Sequence, residues 1–301
     1  MASLSNGALM TSIGDTPIEH HFIDVGSVTL HAVTAGPEDG TPVLLLHGFP
    51  EFWYGWRKQI PALAAAGNRV IALDQRGFNL SGKPAGVKNY HIAKLTADVG
   101  AVLDHFGHAQ AHIVGHDFGA VVGWAMGLMH PDRVQTLTIL NVPHPVVMVR
   151  TLRSSFKQMR RSWYMFFFQL PRLPEAMLSA RSFRTMEMQL RASSRPGTFT
   201  DEDISRYRAA WGQPGALTAM LNWYRATLRF GLPRLASVRL TPPVLVIWGA
   251  KDRFLGVEMA EQSVELCDDG RLVLIDGATH WVQHEAPERV NSLLLEFFAQ
   301  G

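Results

Sequence analysis

Residues 115–119 read Gly-His-Asp-Phe-Gly, and this stretch decides the fold of the chain. Residues 111–114 before it form a short apolar run that is typical of a buried strand, and residues 120–126 after it form an apolar run that is typical of a helix. The pattern predicts a sharp strand-to-helix turn that exposes the side chain of Asp117 at the edge of a sheet. Glycine is expected on both sides of the turn because a larger residue would crowd the crossing of strand and helix.

An aspartate at the exposed position narrows the chemistry. A serine there would attack acyl carbons and give a hydrolysable ester, but its attack on saturated carbon would give a stable ether. A carboxylate that attacks saturated carbon gives an alkyl ester, which water can cleave at the aspartate's own carbonyl carbon. Asp117 is therefore expected to attack an sp³ carbon and displace its leaving group, in an epoxide or an alkyl halide. The alternative is that Asp117 only caps the following helix by accepting its first amide hydrogens.

The composition sets wide limits and excludes several classes of protein. The 301 residues, 47% hydrophobic and 18% charged, are enough for one domain with an insertion or for two domains. The formal net charge of +2 gives no electrostatic reason to expect a nucleic-acid partner. One cysteine, Cys267, excludes an intramolecular disulfide framework and fits a reducing compartment. With no signal-peptide pattern and no apolar stretch long enough to span a bilayer, the expected location is cytoplasmic.

Short β-rich runs alternate with amphipathic segments along much of the chain. The β-rich runs lie at residues 28–33, 42–46, 70–73, 111–114, 134–140, 244–248 and 272–275, and the amphipathic segments at 56–66, 92–106, 120–130, 256–267 and 286–300. From residue 42 onward most runs are almost continuously apolar, as strands buried on both faces of a parallel sheet are. The alternation predicts an α/β fold with a mostly parallel central sheet flanked by helices.

The alternation stops between residues 143 and 240, where the chain is rich in Arg, Met, Phe and Pro and has helical periodicity. This interruption predicts a helical cap that covers the turn at Asp117. The expected organisation is a core over residues 1–142, a cap (lid) over 143–240 and the second part of the core over 241–301. The apolar side chains of the cap, residues 163–168 with Met177, Met186 and Met188, are expected mainly to form its interior and in part to line a pocket.

Three further motifs follow predicted strands, at positions where they can supply an oxyanion hole, an acid and a histidine for the turn at Asp117. His47-Gly48-Phe49-Pro50 follows one apolar run, and the amide of Phe49 with that of Phe118 is the candidate oxyanion hole. Asp252 and His280 follow the last two runs, which gives the chain order nucleophile, acid, histidine. His280 would draw a proton from water, and Asp252 would hold its tautomer. The alternatives are that Asp252 caps a helix and that His280 is a hydrogen-bonded core histidine.

With these motifs in place, the chain resembles the epoxide hydrolases of the α/β-hydrolase superfamily, from about residue 18 to residue 298. The stretches that carry the resemblance are His47-Gly48-Phe49-Pro50-Glu51-Phe52-Trp53-Tyr54-Gly55-Trp56, Asp74-Gln75-Arg76-Gly77-Phe78, the turn at Asp117, Asn141-Val142-Pro143-His144-Pro145, Asn222-Trp223-Tyr224-Arg225 and His280-Trp281. Residues 173–196 match nothing specific in the family.

The resemblance implies a pair of cap tyrosines whose hydroxyls hold the epoxide oxygen and donate to it as the ring opens. The matching positions are Tyr164, which lies four residues before Phe168-Gln169-Leu170-Pro171, and Tyr224 in Asn222-Trp223-Tyr224-Arg225. The implied reaction converts an epoxide to a vicinal diol through an Asp117 ester, with no cofactor and no metal. The expected substrate is a small apolar epoxide, and the expected state is a monomer or a homodimer.

The chain also departs from the family pattern, because Phe118 stands where tryptophan usually follows the nucleophile. Haloalkane dehalogenases of the same fold use that tryptophan to bind halide, and fluoroacetate dehalogenases carry an arginine there, so both departures favour an epoxide. The alternatives that remain are a haloalkane or haloacid dehalogenase and a ligand-binding member without catalysis. Asp74 and His47 are expected to be structural residues that hold loops, and His116 is expected to pack or hydrogen-bond beneath the turn at Asp117.

Overall fold

The computed structural model describes residues 3–5, 8–231, 233 and 237–300. Its strands are β1 (Ser3–Ser5), β2 (Ala8–Ile13), β3 (Thr16–Asp24), β4 (Thr29–Ala35), β5 (Thr41–Leu46), β6 (Asn68–Asp74), β7 (Ala111–His116), β8 (Val134–Leu140), β9 (Val244–Gly249) and β10 (Gly270–Ile275). They form one sheet in the order β1-β2-β3-β4-β6-β5-β7-β8-β9-β10. The predicted α/β fold with a mostly parallel sheet is therefore confirmed.

Six neighbouring strands, from β6 to β10 in the sheet order, pair in parallel, and β1 to β4 form an antiparallel extension. The seven predicted runs correspond to β4–β10, most of which are buried on both faces. Strands β1–β3 were missed by sequence reasoning. In β3 only Ile18 and Ile23 are fully buried, so the strand lacks the continuous apolar run that identifies the others.

Helices flank the sheet and connect its parallel strands. They are α1 (Ile60–Ala65), α2 (Ile92–His105), α3 (Phe118–Met129), α4 (Pro145–Ser154), α5 (Phe156–Arg161), α6 (Trp163–Phe167), α7 (Leu173–Ser193), α8 (Asp201–Trp211), α9 (Ala216–Phe230), α10 (Glu258–Val264), α11 (Val282–Glu285) and α12 (Pro287–Phe298). Helix α1 is shorter than predicted because residues Trp53–Trp56 form a separate 3-10 helix. None of the helices in the described ranges is long and apolar enough to cross a membrane.

Helices α4–α9 all lie between β8 and β9, where the sequence predicts an insertion. Two of them are hydrogen-bonded to loops that follow sheet strands. The indole of Trp211 in α8 donates to the carbonyl of Pro50, and the indole of Trp223 in α9 donates to the carbonyl of Arg76 at 2.9 Å. These bonds hold the inserted helices against the carboxyl edge of the parallel strands, where the site is expected.

The expectation that the apolar residues of the insertion mainly form its interior is wrong for four of them. Met186 is buried, but Trp163, Phe166, Met177 and Met188 are 58%, 51%, 49% and 60% exposed. Helix α7, which carries both exposed methionines, is kinked, with non-helical backbone angles at residues 180–183. Helical periodicity alone does not distinguish an apolar face that packs inward from one that faces solvent.

Candidate active site

Asp117 forms the turn between β7 and α3, with a positive φ of 51° and ψ of −122°. A non-glycine residue with positive φ is strained, and such strain is common at functional sites. The flanking glycine is required, since a Cβ on Gly119 would collide with the carbonyl oxygen of Leu46. The Asp117 side chain makes no capping hydrogen bond to α3. The capping alternative is therefore wrong, and the carboxylate is free for another role.

The carboxylate of Asp117 meets the loop that follows β5. The backbone N–H of Phe49 donates to Asp117 Oδ1 at 2.7 Å. Gly48 allows this approach, because a Cβ there would overlap the Asp117 side chain. Phe118 is the first residue of α3, so its N–H has no acceptor within the helix. The structure thus brings Asp117 together with the Phe49 amide, one of the two amides predicted to form the oxyanion hole.

His280 lies between two carboxylates. Its Nδ1 is 2.8 Å from Asp252 Oδ2, and its Nε2 is 3.5 Å from Asp117 Oδ2. The imidazole is buried, so the bond to Asp252 fixes which nitrogen faces Asp117. The three residues come from the turns after β7, β9 and β10, which end at the same edge of the parallel sheet. His280 is a buried, hydrogen-bonded histidine as the alternative stated, but its partners are the two carboxylates of the site.

Asp252 is held by several donors in addition to His280. Its Oδ1 accepts the backbone N–H groups of Phe254 at 2.7 Å and Leu255 at 3.0 Å. Its Oδ2 also accepts the side-chain amide of Asn141 at 2.7 Å. The alternative that Asp252 caps a helix is wrong, since the next helix begins only at Glu258. Asp252 caps a tight turn with one oxygen and holds His280 with the other.

Asn141 is a site residue to which sequence reasoning assigned no role, although it lies in one of the stretches that carry the resemblance. It follows β8 with a positive φ of 55°, and its side-chain oxygen accepts the N–H of Gly249 at 2.9 Å. One amide side chain therefore fixes Asp252 and the end of β9 together. A polar residue with positive φ at the end of a buried strand is the signal that could have identified it.

The charges of the site stabilise one another. Burial opposes the charge of His280, but the carboxylates of Asp252 and Asp117 raise its pKa to about 10. Burial also acts against the charge of Asp117, but the neighbouring His280 lowers the pKa of Asp117 below its usual value. At neutral pH the resting site therefore holds an imidazolium between two carboxylates.

Two cavities meet at Asp117. The first, of about 350 Å³, is lined by Asp117, His280 and the apolar side chains of α6 and α7. The second, of about 380 Å³, is lined by Asp117, Phe118 and apolar side chains of α4 and α9. Tyr164 and Tyr224 line both cavities, and their ring centroids are 5.9 Å apart. The predicted tyrosines and nucleophile thus share one mostly apolar chamber.

The hydroxyl groups divide the five tyrosines of the chain into two kinds. Tyr54, Tyr90 and Tyr207 donate to Asp203, to the carbonyl of Pro84 and to Glu51, respectively. Within the described residues, no protein group accepts a hydrogen bond from Tyr164 or Tyr224. Burial, then the charge of Asp117, raises the pKa of both phenols. Both hydroxyls therefore stay protonated and available to a ligand.

A second buried polar cluster lies beneath the site and was also missed. Glu51 is fully buried and accepts from Tyr207 at 2.5 Å, from His284 at 2.7 Å and from Gln283 at 3.1 Å. His116 contacts the same carboxylate at 3.3 Å, and its Nε2 lies 2.9 Å from the backbone carbonyl of His280. The cluster connects α8 to the loop that bears His280. The members of the cluster are far apart in the chain, so no local sequence pattern predicts it.

The residues expected to be structural do hold loops. Asp74 accepts the N–H of Trp53 at 2.9 Å and contacts His31 at 2.7 Å. His47 Nε2 accepts the N–H of Gln75 at 3.1 Å. In the described part of the chain, no group of three or more His, Cys, Asp or Glu side chains is arranged to hold a metal ion.

Comparisons with known proteins show the family of the chain. The sequence profile of the α/β-hydrolase fold matches residues 41–287. The chain is 45% identical to the AB hydrolase superfamily protein YfhM of Bacillus subtilis over 93% of its own length and 98% of that protein. It is 36% identical to epoxide hydrolase A of Mycobacterium tuberculosis, with 92% and 96% of the two chains covered.

Solved structures give the same result. The epoxide hydrolase of Bacillus megaterium in complex with an inhibitor superposes with a TM-score of 0.85 at 32% identity, over 93% of this chain and 100% of that one. These similarities extend over the sheet and the inserted helices alike. The chain belongs to the α/β-hydrolase family, in the branch formed by its epoxide hydrolases.

Proposed function

We propose that this protein hydrolyses epoxides to vicinal diols, with Asp117 as nucleophile, His280 and Asp252 as the water-activating pair, and Tyr164 and Tyr224 as oxygen-binding acids. The observation that carries the proposal is the shared chamber, where two unpartnered phenol hydroxyls line the same cavities as a carboxylate. The helices around these tyrosines act as a cap over residues 143–240, with residues 1–142 and 241–301 as the core.

In the first step, Asp117 opens the ring by backside attack. Oδ1 is occupied by the Phe49 amide, so Oδ2 is the attacking oxygen. A bond forms between Oδ2 and an epoxide carbon, and the carbon–oxygen bond of the ring breaks. Tyr164 and Tyr224 donate hydrogen bonds to the departing oxygen, and these bonds strengthen as negative charge develops. Ring strain makes the weak carboxylate nucleophile sufficient.

In the second step, water cleaves the ester at Cγ of Asp117. Neutral His280 takes a proton from the water, which attacks the carbonyl carbon. The carbonyl oxygen is Oδ1, and the amides of Phe49 and Phe118 stabilise the oxyanion that it becomes. The ester bond to Oδ2 then breaks, and the diol leaves.

The pKa of His280 links the two steps. In the resting site the charge of Asp117 helps to raise that pKa. Alkylation removes this charge, so the pKa falls and the imidazolium can release its proton to solvent. The tyrosine that protonated the alkoxide takes up from solvent the proton that His280 released. His280 regains a proton from the attacking water, and the other proton of that water passes to the leaving oxygen of the ester as Asp117 returns to a carboxylate. The net reaction is therefore epoxide plus water to diol.

The dehalogenase alternative is less well supported. A halide leaving group needs donors at the position next to the nucleophile, and Phe118 has no side-chain N–H to offer. The chamber instead provides two hydroxyls, which suit an oxygen leaving group. The cavities of about 350 and 380 Å³ are mostly apolar, which supports small apolar epoxides as substrates.

The test is to trap the ester. His280→Gln should still be alkylated but should not hydrolyse the ester, so an adduct of one substrate mass should accumulate. Intact-protein mass spectrometry after mixing with styrene, terpene or fatty-acid epoxides would detect it, and peptide mapping should place it on Asp117. The matched control is His280→Gln with Asp117→Ala, which should form no adduct.

Three outcomes would contradict the proposal. An adduct on another residue would remove Asp117 as nucleophile. Turnover of haloalkanes in preference to every epoxide would favour the dehalogenase alternative. Ligand affinity without turnover in the parent protein would favour a non-catalytic binding protein.

A further inference from the structure

The charge of this chain is distributed very unevenly. Residues 143–196 contain ten Arg and Lys but only two Glu, a formal charge of +8, whereas the whole chain carries +2. The remainder of the chain is therefore acidic, with a formal charge of −6. The net charge of the chain is near zero because a strongly basic segment and an acidic remainder nearly cancel. This asymmetry determines which partners the basic segment attracts.

The two acids of the basic segment are already neutralised by other cations. Glu175 pairs with Arg225 at 2.7 Å, and Glu187 pairs with Arg191 and Arg208. Six exposed cations of α4, α5, α7 and the loop before α7 have no carboxylate within 4.0 Å among the described residues: Arg153, Lys157, Arg160, Arg172, Arg181 and Arg184. Their charge is thus available to an external anionic partner.

The same segment exposes most of the large apolar side chains that face solvent. Sixteen such side chains are exposed in the described residues, and ten of them lie between residues 146 and 188. These ten are Val146, Val149, Phe156, Met159, Trp163, Phe166, Leu170, Leu173, Met177 and Met188. Together with the six unpaired cations, they define what is called here the cap face. This concentration of exposed apolar side chains in one segment of the chain supports an interaction surface there.

Exposed cations and exposed apolar side chains occur together in α4, α5 and α7, whereas α6 contributes only apolar side chains. In α4, Val149 and Arg153 are exposed while Val147 and Thr151 are buried. In α5, the exposed side chains include Phe156, which is 73% exposed, and the cations that follow it. Helices with Lys and Arg beside exposed Trp, Phe and Leu are typical of segments that lie in the interface of a lipid bilayer.

The cap face also adjoins the openings of both cavities. Trp163 and Met177 are exposed and line the first cavity, while Val146 and Val149 are exposed and line the second. A surface that covered the cap face would therefore lie at the entrances to the chamber of Asp117. An apolar compound dissolved in that surface would reach the chamber without crossing water.

We propose that the cap face docks on the headgroup region of an anionic lipid bilayer, as a peripheral contact that inserts its apolar side chains and pairs its cations with lipid phosphates. A second copy of the chain is disfavoured as the occupant, because a symmetric dimer would place the six unpaired cations of one copy against those of the other. A nucleic acid would use the cations but would leave the aliphatic side chains exposed. The proposal concerns binding and does not depend on the reaction at Asp117.

The test is flotation of the purified full-length chain with phosphatidylcholine vesicles, with and without a quarter of phosphatidylglycerol. We expect binding to the anionic vesicles at low salt, weaker binding at high salt and little binding to phosphatidylcholine alone. Arg153→Gln with Lys157→Gln and Arg160→Gln should weaken binding roughly a hundredfold, since a basic residue near an anionic surface contributes about fivefold. Phe156→Gln with Met159→Gln should weaken it as well.

The matched control removes three exposed cations outside the cap face, by Lys88→Gln with Arg271→Gln and Arg289→Gln, and should bind vesicles like the parent. Absence of parent binding to anionic vesicles, or equal losses in the control and in the cap-face triple variant, would overturn the proposal. The proposal would also be overturned by tight binding to duplex DNA that the cap-face triple variant weakens and that Phe156→Gln with Met159→Gln leaves unchanged. A dimer in mass photometry that the apolar variant converts to a monomer would assign the face to a second copy.

Discussion

The backbone N–H of Phe49 donates to Oδ1 of Asp117 at 2.7 Å, although the two residues are 68 positions apart in the chain. This bond makes the two oxygens of the carboxylate different. Oδ1 is held by an amide, and Oδ2 faces Nε2 of His280 at 3.5 Å. The oxygen that attacks and the oxygen that becomes the oxyanion are thereby distinguished before any substrate binds.

The first prediction follows from the two roles of these oxygens. In a single turnover with enzyme in excess in ¹⁸O-water, label should enter the Asp117 carboxylate and not the diol, because water attacks Cγ of the ester. Mass spectrometry of the Asp117 peptide and of the diol measures both. Label in the diol during the first turnover would mean that water attacks the epoxide directly. Asp117→Ala supplies the control peptide and should form no diol.

The second prediction concerns the two free tyrosines. Tyr164→Phe and Tyr224→Phe should each slow ester formation by about a hundredfold, since loss of one preorganised donor typically costs on the order of 3 kcal/mol. The double variant should be almost inactive. Ester formation is measured in the His280→Gln background, which isolates the first step from hydrolysis.

The matched control for the tyrosines is Tyr54→Phe. The hydroxyl of Tyr54 donates to Asp203 and lines neither cavity, so ester formation should proceed at the parent rate. If Tyr164→Phe and Tyr224→Phe also alkylate at the parent rate, the tyrosines do not activate the oxygen, and the dehalogenase alternative gains support.

The third prediction concerns pH. The pKa of His280 is raised from an ordinary 6.5 to about 10, so its charge stabilises the fold fully below pH 6.5. That contribution is lost as the pH rises through about 10. Asp117→Asn removes one of the two carboxylates that raise the pKa, so the ring should titrate at a lower pH and the loss of stability should shrink. Nitrogen-15 NMR of labelled histidines and urea unfolding measure the two effects.

A titration midpoint of His280 that is the same in the parent and in Asp117→Asn would contradict this coupling. Asp252→Asn provides a comparison, since Asp252 makes a larger contribution to the raised pKa than the charge of Asp117 does. Its effect on the midpoint should therefore exceed that of Asp117→Asn.

The fourth prediction concerns the buried cluster at Glu51. Tyr207→Phe removes a donor to a buried carboxylate, so the free energy of unfolding should fall by about 1.5–3 kcal/mol, the usual range for a hydrogen bond to a charged group. Tyr54→Phe, whose partner Asp203 also pairs with Arg57 at 2.9 Å, should cost less than about 1 kcal/mol. Urea unfolding measures both variants. Equal losses would mean that the bond of Tyr207 to the buried Glu51 stabilises the fold no more than the bond of Tyr54 to Asp203.

The sequence by itself determined the elements that depend on neighbours along the chain. The apolar runs of β5–β9 identified a parallel sheet, because a strand buried on both faces needs such a run. The glycines around Asp117 identified the turn. The chain order of Asp117, Asp252 and His280 identified the acid and the histidine, and the resemblance supplied the two tyrosines. Strands β1–β3 were not predicted because they carry no continuous apolar run.

Only the tertiary structure decided which groups meet and which face water. Asn141 reaches Asp252 across 111 positions, and Tyr207 reaches Glu51 across 156, so no local pattern contains either bond. The structure also separated Tyr164 and Tyr224 from tyrosines whose hydroxyls are already bound, and it turned Trp163 toward solvent instead of into the cap. The hydrophobic periodicity of a helix predicts that one of its faces is apolar. Contacts between segments that are distant in the chain decide what that face packs against.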